Sequence, residues 1–170
     1  PENWICESST KLTLTSDQNG QISGKDKGTL QNLVLYDIPA EIAKDNFRVQ
    51  VTIDGLPQTP YGGAALMLYN DTDNYISIGQ KGHMGIVAVS ESNGEYSERA
   101  DTTGTKVEKA SFEIEKNSNM IFVKFWDGSR WKVVSGYSAG ASGLNDDDLK
   151  IAFYVNKQGS DVVKATYSNF

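Results

Sequence analysis

From Ala64 to Tyr69 and again from Tyr75 to Gly79 the chain runs through apolar residues, and Asn70-Asp71-Thr72-Asp73-Asn74 separates the two runs with side chains that favour turns. Folding one run back on the other with Tyr69 opposite Tyr75 sets Leu68 against Ile76 and Leu66 against Ile78. Those four form one apolar face, and Met67, Tyr69, Tyr75 and Ser77 fall together on the other. A slip of one residue would mix the two faces, so the register is strongly specified. A chain with such a hairpin at its centre is committed to antiparallel sheet.

The rest of the sequence agrees. Phe47-Arg48-Val49-Gln50-Val51-Thr52-Ile53 alternates without a break, with Phe47, Val49, Val51 and Ile53 toward a core and Arg48, Gln50 and Thr52 on the other side. Further strands are expected at Lys11–Thr15, Leu33–Tyr36, Ile86–Val89, Ser111–Glu115, Leu149–Val155 and Val162–Tyr167. A second hairpin spans Met120–Val134 around a three-residue loop, Asp127-Gly128-Ser129. That loop length pairs Phe125 with Trp131 and Val123 with Val133 on the apolar side, so it puts Trp131 in the core and leaves Trp126, Arg130, Lys124 and Lys132 outside. Helical periodicity is confined to a short turn at Pro39–Lys44, and Ser138–Asp148 reads as a flexible loop. The expected fold is all-β: an antiparallel two-sheet sandwich or jelly roll, one domain over residues 1–170.

Net charge is −6 with pI about 4.8, and no Lys/Arg run forms a basic patch, which argues against nucleic acid and anionic membranes as partners. The single cysteine, Cys6, cannot form an intrachain disulfide and reads as a buried, inert thiol. No stretch is long and apolar enough for a membrane helix. The chain begins at Pro1, as expected of a piece excised from a larger precursor.

Several local patterns together carry a family likeness: Asn32-Leu33-Val34, Pro39, the strand Phe47–Ile53, Tyr61-Gly62-Gly63-Ala64-Ala65-Leu66-Met67-Leu68-Tyr69, Asp73-Asn74-Tyr75-Ile76, Phe122–Trp131, Leu149–Phe153 and the closing Ala165–Phe170. In these the chain resembles the concanavalin-like domain at the C-terminus of bacterial β-xylosidases and related family 43 glycosidases. One departure is Ala64-Ala65-Leu66, where the family often has Ala-Gly-Leu. The resemblance implies a concanavalin A-like jelly roll, secretion, a sandwich able to hold calcium, a parent catalytic domain in cis, and either sugar binding or a buttressing role.

The residues themselves point away from catalysis. Hydrolases on related sandwiches align Glu-x-Asp-x-Glu on one strand face, but the nearest match, Glu113-Ile114-Glu115-Lys116-Asn117, lacks the third carboxylate. The one histidine, His83, lies in a loop without a nucleophile motif, and one Cys with one His cannot close a zinc site. Calcium candidates are Asp71 and Asp73 in the first turn and the Asn145–Asp148 segment, all oxygen-rich but without the EF-hand pattern. Sugar rings stack on aromatic faces and need planar polar groups for their hydroxyls. The hairpin registers put Trp126, Tyr69 and Tyr75 away from the core, Tyr154 joins them, and Arg130, Arg48 and Gln50 supply polar contacts. The expected function is therefore a secreted, non-catalytic module that binds an extracellular polysaccharide of plant type or another kind. The alternative is a structural accessory domain packed on a glycoside hydrolase.

Overall fold

The computed structural model describes residues 4–8, 10–17, 19–20, 32–101, 104–157 and 159–170, without the side chains of 4–8, so the Cys6 thiol lies outside the described residues. The strands are β1 (Trp4–Ser8), β2 (Lys11–Ser16), β3 (Leu33–Asp37), β4 (Phe47–Asp54), β5 (Gly62–Asp71), β6 (Asn74–Lys81), β7 (Gly85–Ser92), β8 (Glu95–Ala100), β9 (Lys109–Asn117), β10 (Met120–Trp126), β11 (Trp131–Ser138), β12 (Lys150–Lys157) and β13 (Val163–Ser168). One short helix, α1 (Ala40–Lys44), occupies the expected turn. Seven strands form sheet A in the order β1-β2-β13-β4-β9-β10-β11, and six form sheet B in the order β3-β12-β5-β6-β7-β8.

The first hairpin takes the register its sequence demands: Leu66 pairs with Ile78, Leu68 with Ile76 and Tyr69 with Tyr75. The strands continue to Asp71 and Asn74, so only Thr72-Asp73 connects them. The Asp71 carboxylate closes this turn by accepting from the Asp73 backbone N–H (2.7 Å) and the Asn74 amide (3.0 Å).

Between the sheets lies the core. Leu66, Leu68, Ile76, Ile78 and Phe153 from sheet B meet Leu12, Leu14, Val51, Ile53, Phe112, Ile114 and Val123 from sheet A, each no more than 2% exposed. Phe153 is its aromatic centre, with ring centroids 5.0 Å from Tyr167, 4.8 Å from Phe170 and 5.6 Å from Tyr36. Tyr167 ties the sheets together by donating its hydroxyl to the Tyr154 carbonyl at 2.5 Å. Burial raises the Tyr167 phenol far above its ordinary value, so it stays a donor at any ordinary pH. The Asn145–Asp148 loop is pinned by Lys116, which bridges the Ala43 carbonyl and Asp146, by Lys44 on Asp147, and by a two-way amide exchange between Asn70 and the Asn145 backbone.

The second hairpin departs from the sequence expectation. Trp126 pairs directly with Trp131, so the connection is the four residues Asp127–Arg130, and a bulge lies between Val123 and Lys124. The extra loop residue moves Trp131 to the outer face, where its ring meets Trp126 edge-to-face at 5.7 Å, and turns Lys132 toward Phe125 and Asp101. Trp131 is therefore not a core residue. The bulge returns the strand to its expected phase further along, with Val123 opposite Ser135. Two strands were not expected, β1 and β8. Polar, mostly exposed β8 is an edge strand, but Asn93-Gly94 before it, with φ of 50° and 80°, is a two-residue hairpin signal.

Phe153→Ala removes the ring that joins both sheets to the C-terminal Phe170. It is expected to lower stability in urea by about 3–5 kcal/mol with an unchanged denaturant slope, and a loss below about 1 kcal/mol would refute the central place given to this ring.

Candidate functional site

Sheet B is apolar on both sides. Leu66, Ile78, Ala88 and Phe153 point into the core, so their neighbours in sequence point outward. Strand register lines up Tyr154, Ala65, Gly79 and Val87 in one row across β12, β5, β6 and β7, with Ala152, Met67, Ser77 and Val89 in the next. Met67, Tyr69, Tyr75, Val87, Val89, Ala152 and Tyr154 form a second buried cluster here. Ala65 and Gly79 are small, and between the larger side chains they leave a trough of about 100 Å³. Tyr154, Met67, Tyr75, Val87 and Val89 line it, Ser77 and Asn156 offer polar atoms, and Tyr61, Lys81 and His83 stand at its rim. Gly79 cannot be replaced cheaply, since a Cβ there would lie 2.1 Å from the Ala64 carbonyl oxygen.

The rim is a built structure. Buried Gln80 donates to the carbonyls of Pro57 (2.9 Å) and Val107 (3.0 Å) and accepts from the Val107 N–H (2.9 Å), joining two loops. Gly82 packs so closely that a Cβ would lie 1.6 Å from the Thr59 carbonyl oxygen. His83 Nδ1 donates to the Pro60 carbonyl at 2.9 Å. Together they hold Tyr61, 64% exposed, beside the trough. On the other flank Lys81 reaches over β7 to Glu98 Oε2 (3.0 Å) and the Tyr96 hydroxyl (2.7 Å), and that hydroxyl donates to Glu98 at 2.5 Å.

The outer face of sheet A is a different surface. Glu113 and Glu115 on β9 are held by Arg48, Gln50 and Lys124: Gln50 donates to Glu113 at 2.6 Å, Lys124 lies 2.8 Å from Glu113 and also contacts Glu115, and Arg48 reaches both carboxylates at 3.4 and 3.5 Å. The hydrogen bond from Lys124 holds the Glu115 carboxyl below its ordinary range, reinforced by Arg48. Burial pulls the Lys124 ammonium down, but Glu113 and Glu115 overcome it and leave the pKa raised. Farther along this face Met120, Val133 and Trp126 are exposed beside Phe122 and Trp131.

Seven residues were expected to meet sugar, and they do not form one site. Tyr75 and Tyr154 line the trough, and Tyr69 lies in the same cluster, but all three are at least nine-tenths buried, because the outer face of sheet B is itself packed. Trp126 and Arg130 belong to the opposite sheet. Arg48 and Gln50 lie on that sheet too, with Glu113 and Glu115 as partners. An outward-facing side chain can belong to either of two sheets, and hairpin register does not say which. The calcium candidate Asp71 accepts turn hydrogen bonds and Asp73 sits in that turn, while Asp146 and Asp147 pair with lysines. Among the described residues no group of three or more His, Cys, Asp and Glu is placed to hold a metal ion. Sequence reasoning missed Tyr61, Asn156 and Lys81 as trough residues. The available signal was the row of small residues, Gly63, Ala65 and Gly79, on one face of otherwise bulky strands.

Two packed antiparallel sheets of seven and six strands define a concanavalin-like jelly roll. No protein-family model and no curated protein matches the sequence. Solved structures share the fold. A functionally unknown protein from Saccharomyces cerevisiae is 16% identical at a TM-score of 0.71, with 98% of this chain and 92% of that chain covered. Bacteroides ovatus xyloglucan PUL GH43B is 11% identical at 0.70, covering 98% of this chain. Bacillus licheniformis β-glucanase is 12% identical at 0.61, covering 98% of this chain and 79% of that one. The chain spans only 34% of the length of the GH43B protein, so the likeness to family 43 glycosidases is to one sandwich within a longer chain.

The tip of the second hairpin makes a pH prediction. The backbone N–H groups of Ser129 and then Arg130, with the Ser129 hydroxyl, push the Asp127 carboxyl down to about 2 from its ordinary 3.8. A depressed carboxyl stabilises above its ordinary value, and the effect is lost as pH falls through the lower one. The Asp127 carboxyl carbon is expected to titrate by NMR with a midpoint near 2, moving with the Ser129 and Arg130 amides. A midpoint near 4 would mean that the tip is not held this way.

Proposed function

We propose that this chain is a non-catalytic carbohydrate-binding domain that holds a secreted parent glycosidase on an extracellular polysaccharide. The observation that carries this is the trough on the outer face of sheet B. Its small-residue floor leaves a recess of about 100 Å³, Tyr61 at the rim, 64% exposed, offers aromatic surface for C–H faces, and Ser77, Asn156 and Lys81 bring polar atoms to hydroxyls. The Glu113/Glu115 pair supports a non-catalytic reading, since Arg48, Gln50 and Lys124 already occupy it. The fold match to one part of a GH43 protein supports a catalytic partner in cis.

A second reading has its own observation. Met120, Phe122, Val133, Trp126 and Trp131 make an apolar strip beside edge strand β11, with Arg130 80% exposed at its end. Such a strip suits a structural accessory domain that packs on a catalytic domain.

Affinity electrophoresis through gels of xylan, arabinan, xyloglucan, β-glucan, mannan or pectin separates the two. Retardation is expected in at least one gel, with Kd on the order of micromolar to millimolar. Tyr61→Ala is expected to weaken it about tenfold while moving the melting temperature by about 1 °C or less. Trp126→Ala is expected to leave it unchanged. Loss in Trp126→Ala with retention in Tyr61→Ala would place the glycan on sheet A, and free migration in every gel would favour the accessory-domain reading.

A further inference from the structure

Lys81 is the one Lys or Arg among the described residues that line the trough, and no Asp or Glu lines it. Its charge is already compensated. Nζ gives two of its three protons to Glu98 Oε2 and the Tyr96 hydroxyl, and it sits 5.4 Å from the centre of the Tyr96 ring. The third proton has no acceptor among the described residues. Glu98 lies opposite Val89, and Val89 lines the trough, so the carboxylate stands on the same sheet face, one strand beyond the lining. The β8 flank therefore sets the Glu98 carboxylate against the Lys81 ammonium. An ammonium so placed donates to a hydroxyl oxygen but gains little from an anion, because a uronate carboxylate brought to Lys81 also approaches Glu98.

We propose that the Lys81–Glu98–Tyr96 triad makes the trough selective for neutral glycans over polyuronates. Lys81 is the hydroxyl donor, and Glu98 is the residue that sets specificity by holding the donor in place and repelling acidic sugars. This selectivity rests on the trough being a glycan site, as proposed above.

Titration calorimetry of the full chain with xylohexaose, cellohexaose, mannohexaose and hexagalacturonate tests it. The wild type is expected to bind at least one neutral hexasaccharide and to bind hexagalacturonate at least about tenfold more weakly. Glu98→Gln keeps the shape and releases the ammonium from its counter-charge, so it is expected to narrow that ratio about tenfold, mainly by gaining affinity for hexagalacturonate. Lys81→Met is expected to lose about tenfold toward the neutral sugar and to gain nothing toward the acidic one. A wild type that prefers hexagalacturonate overturns the selectivity. So does a folded Glu98→Gln variant with an unchanged ratio while neutral sugars still bind, and either result leaves the glycan site standing. A wild type that binds none of the four overturns the glycan site and the selectivity together.

Discussion

The pairing of Tyr69 with Tyr75 fixes which side chains of sheet B face the core and which face out, and the rest of the structure depends on that assignment. Every strand neighbour inherits the phase: β12 through Phe153 opposite Leu66, and β7 through Ala88 opposite Ile78. One face of these strands then packs on sheet A around Phe153. The other builds a second apolar cluster that is closed at Tyr75 and open over Ala65 and Gly79. A one-residue slip of β5 would put Leu66 where Ala65 stands, which would fill the trough and deplete the core in one step. The fold and the candidate site are thus two consequences of a single register.

Alternation made most of the architecture legible in the sequence. Phe47–Ile53 and the closing strand read correctly because a half-buried strand must alternate, and the central hairpin reads correctly because two apolar runs flank a polar turn. β8 and Trp131 escaped for different reasons. β8 is a polar edge strand with little to bury, so hydrophobic pattern does not report it. Trp131 was assigned to the core because a three-residue loop was assumed, and one further residue, Arg130, reverses the phase. The candidate site was legible only in part. Which residues leave the core can be read from register, but which of them share a surface depends on how sheets pack across the sequence. That is why Trp126 and Tyr154, both outward, end on opposite sides of the molecule. The clearest sequence mark of the trough is what is missing from it: side-chain volume at Gly63, Ala65 and Gly79.

The two outer faces differ in what they leave available. On sheet A the charged side chains near β9 satisfy one another, and the aromatic pair at the hairpin tip adjoins an apolar strip. On sheet B, polar atoms at Ser77, Asn156 and Lys81 ring an apolar recess whose rim is fixed by Gln80, Gly82 and His83. Small, rigid recesses with a few placed polar groups suit ligands, while open apolar strips suit protein partners. A module that binds glycan through one sheet and its parent enzyme through the other would use both faces without conflict, and the match to one sandwich within a longer GH43 chain is compatible with that arrangement.

Methyl-resolved NMR tests the proposed glycan site on sheet B most directly. Spectra of the labelled chain would be recorded during titration with whichever neutral hexasaccharide binds. Perturbations concentrated on the methyl groups of Ala65, Met67, Val87 and Val89, with Met120 and Val133 unmoved, are the predicted result. Perturbations confined to Met120, Val133 and the Trp126 indole, with the sheet B methyls still, would contradict the account.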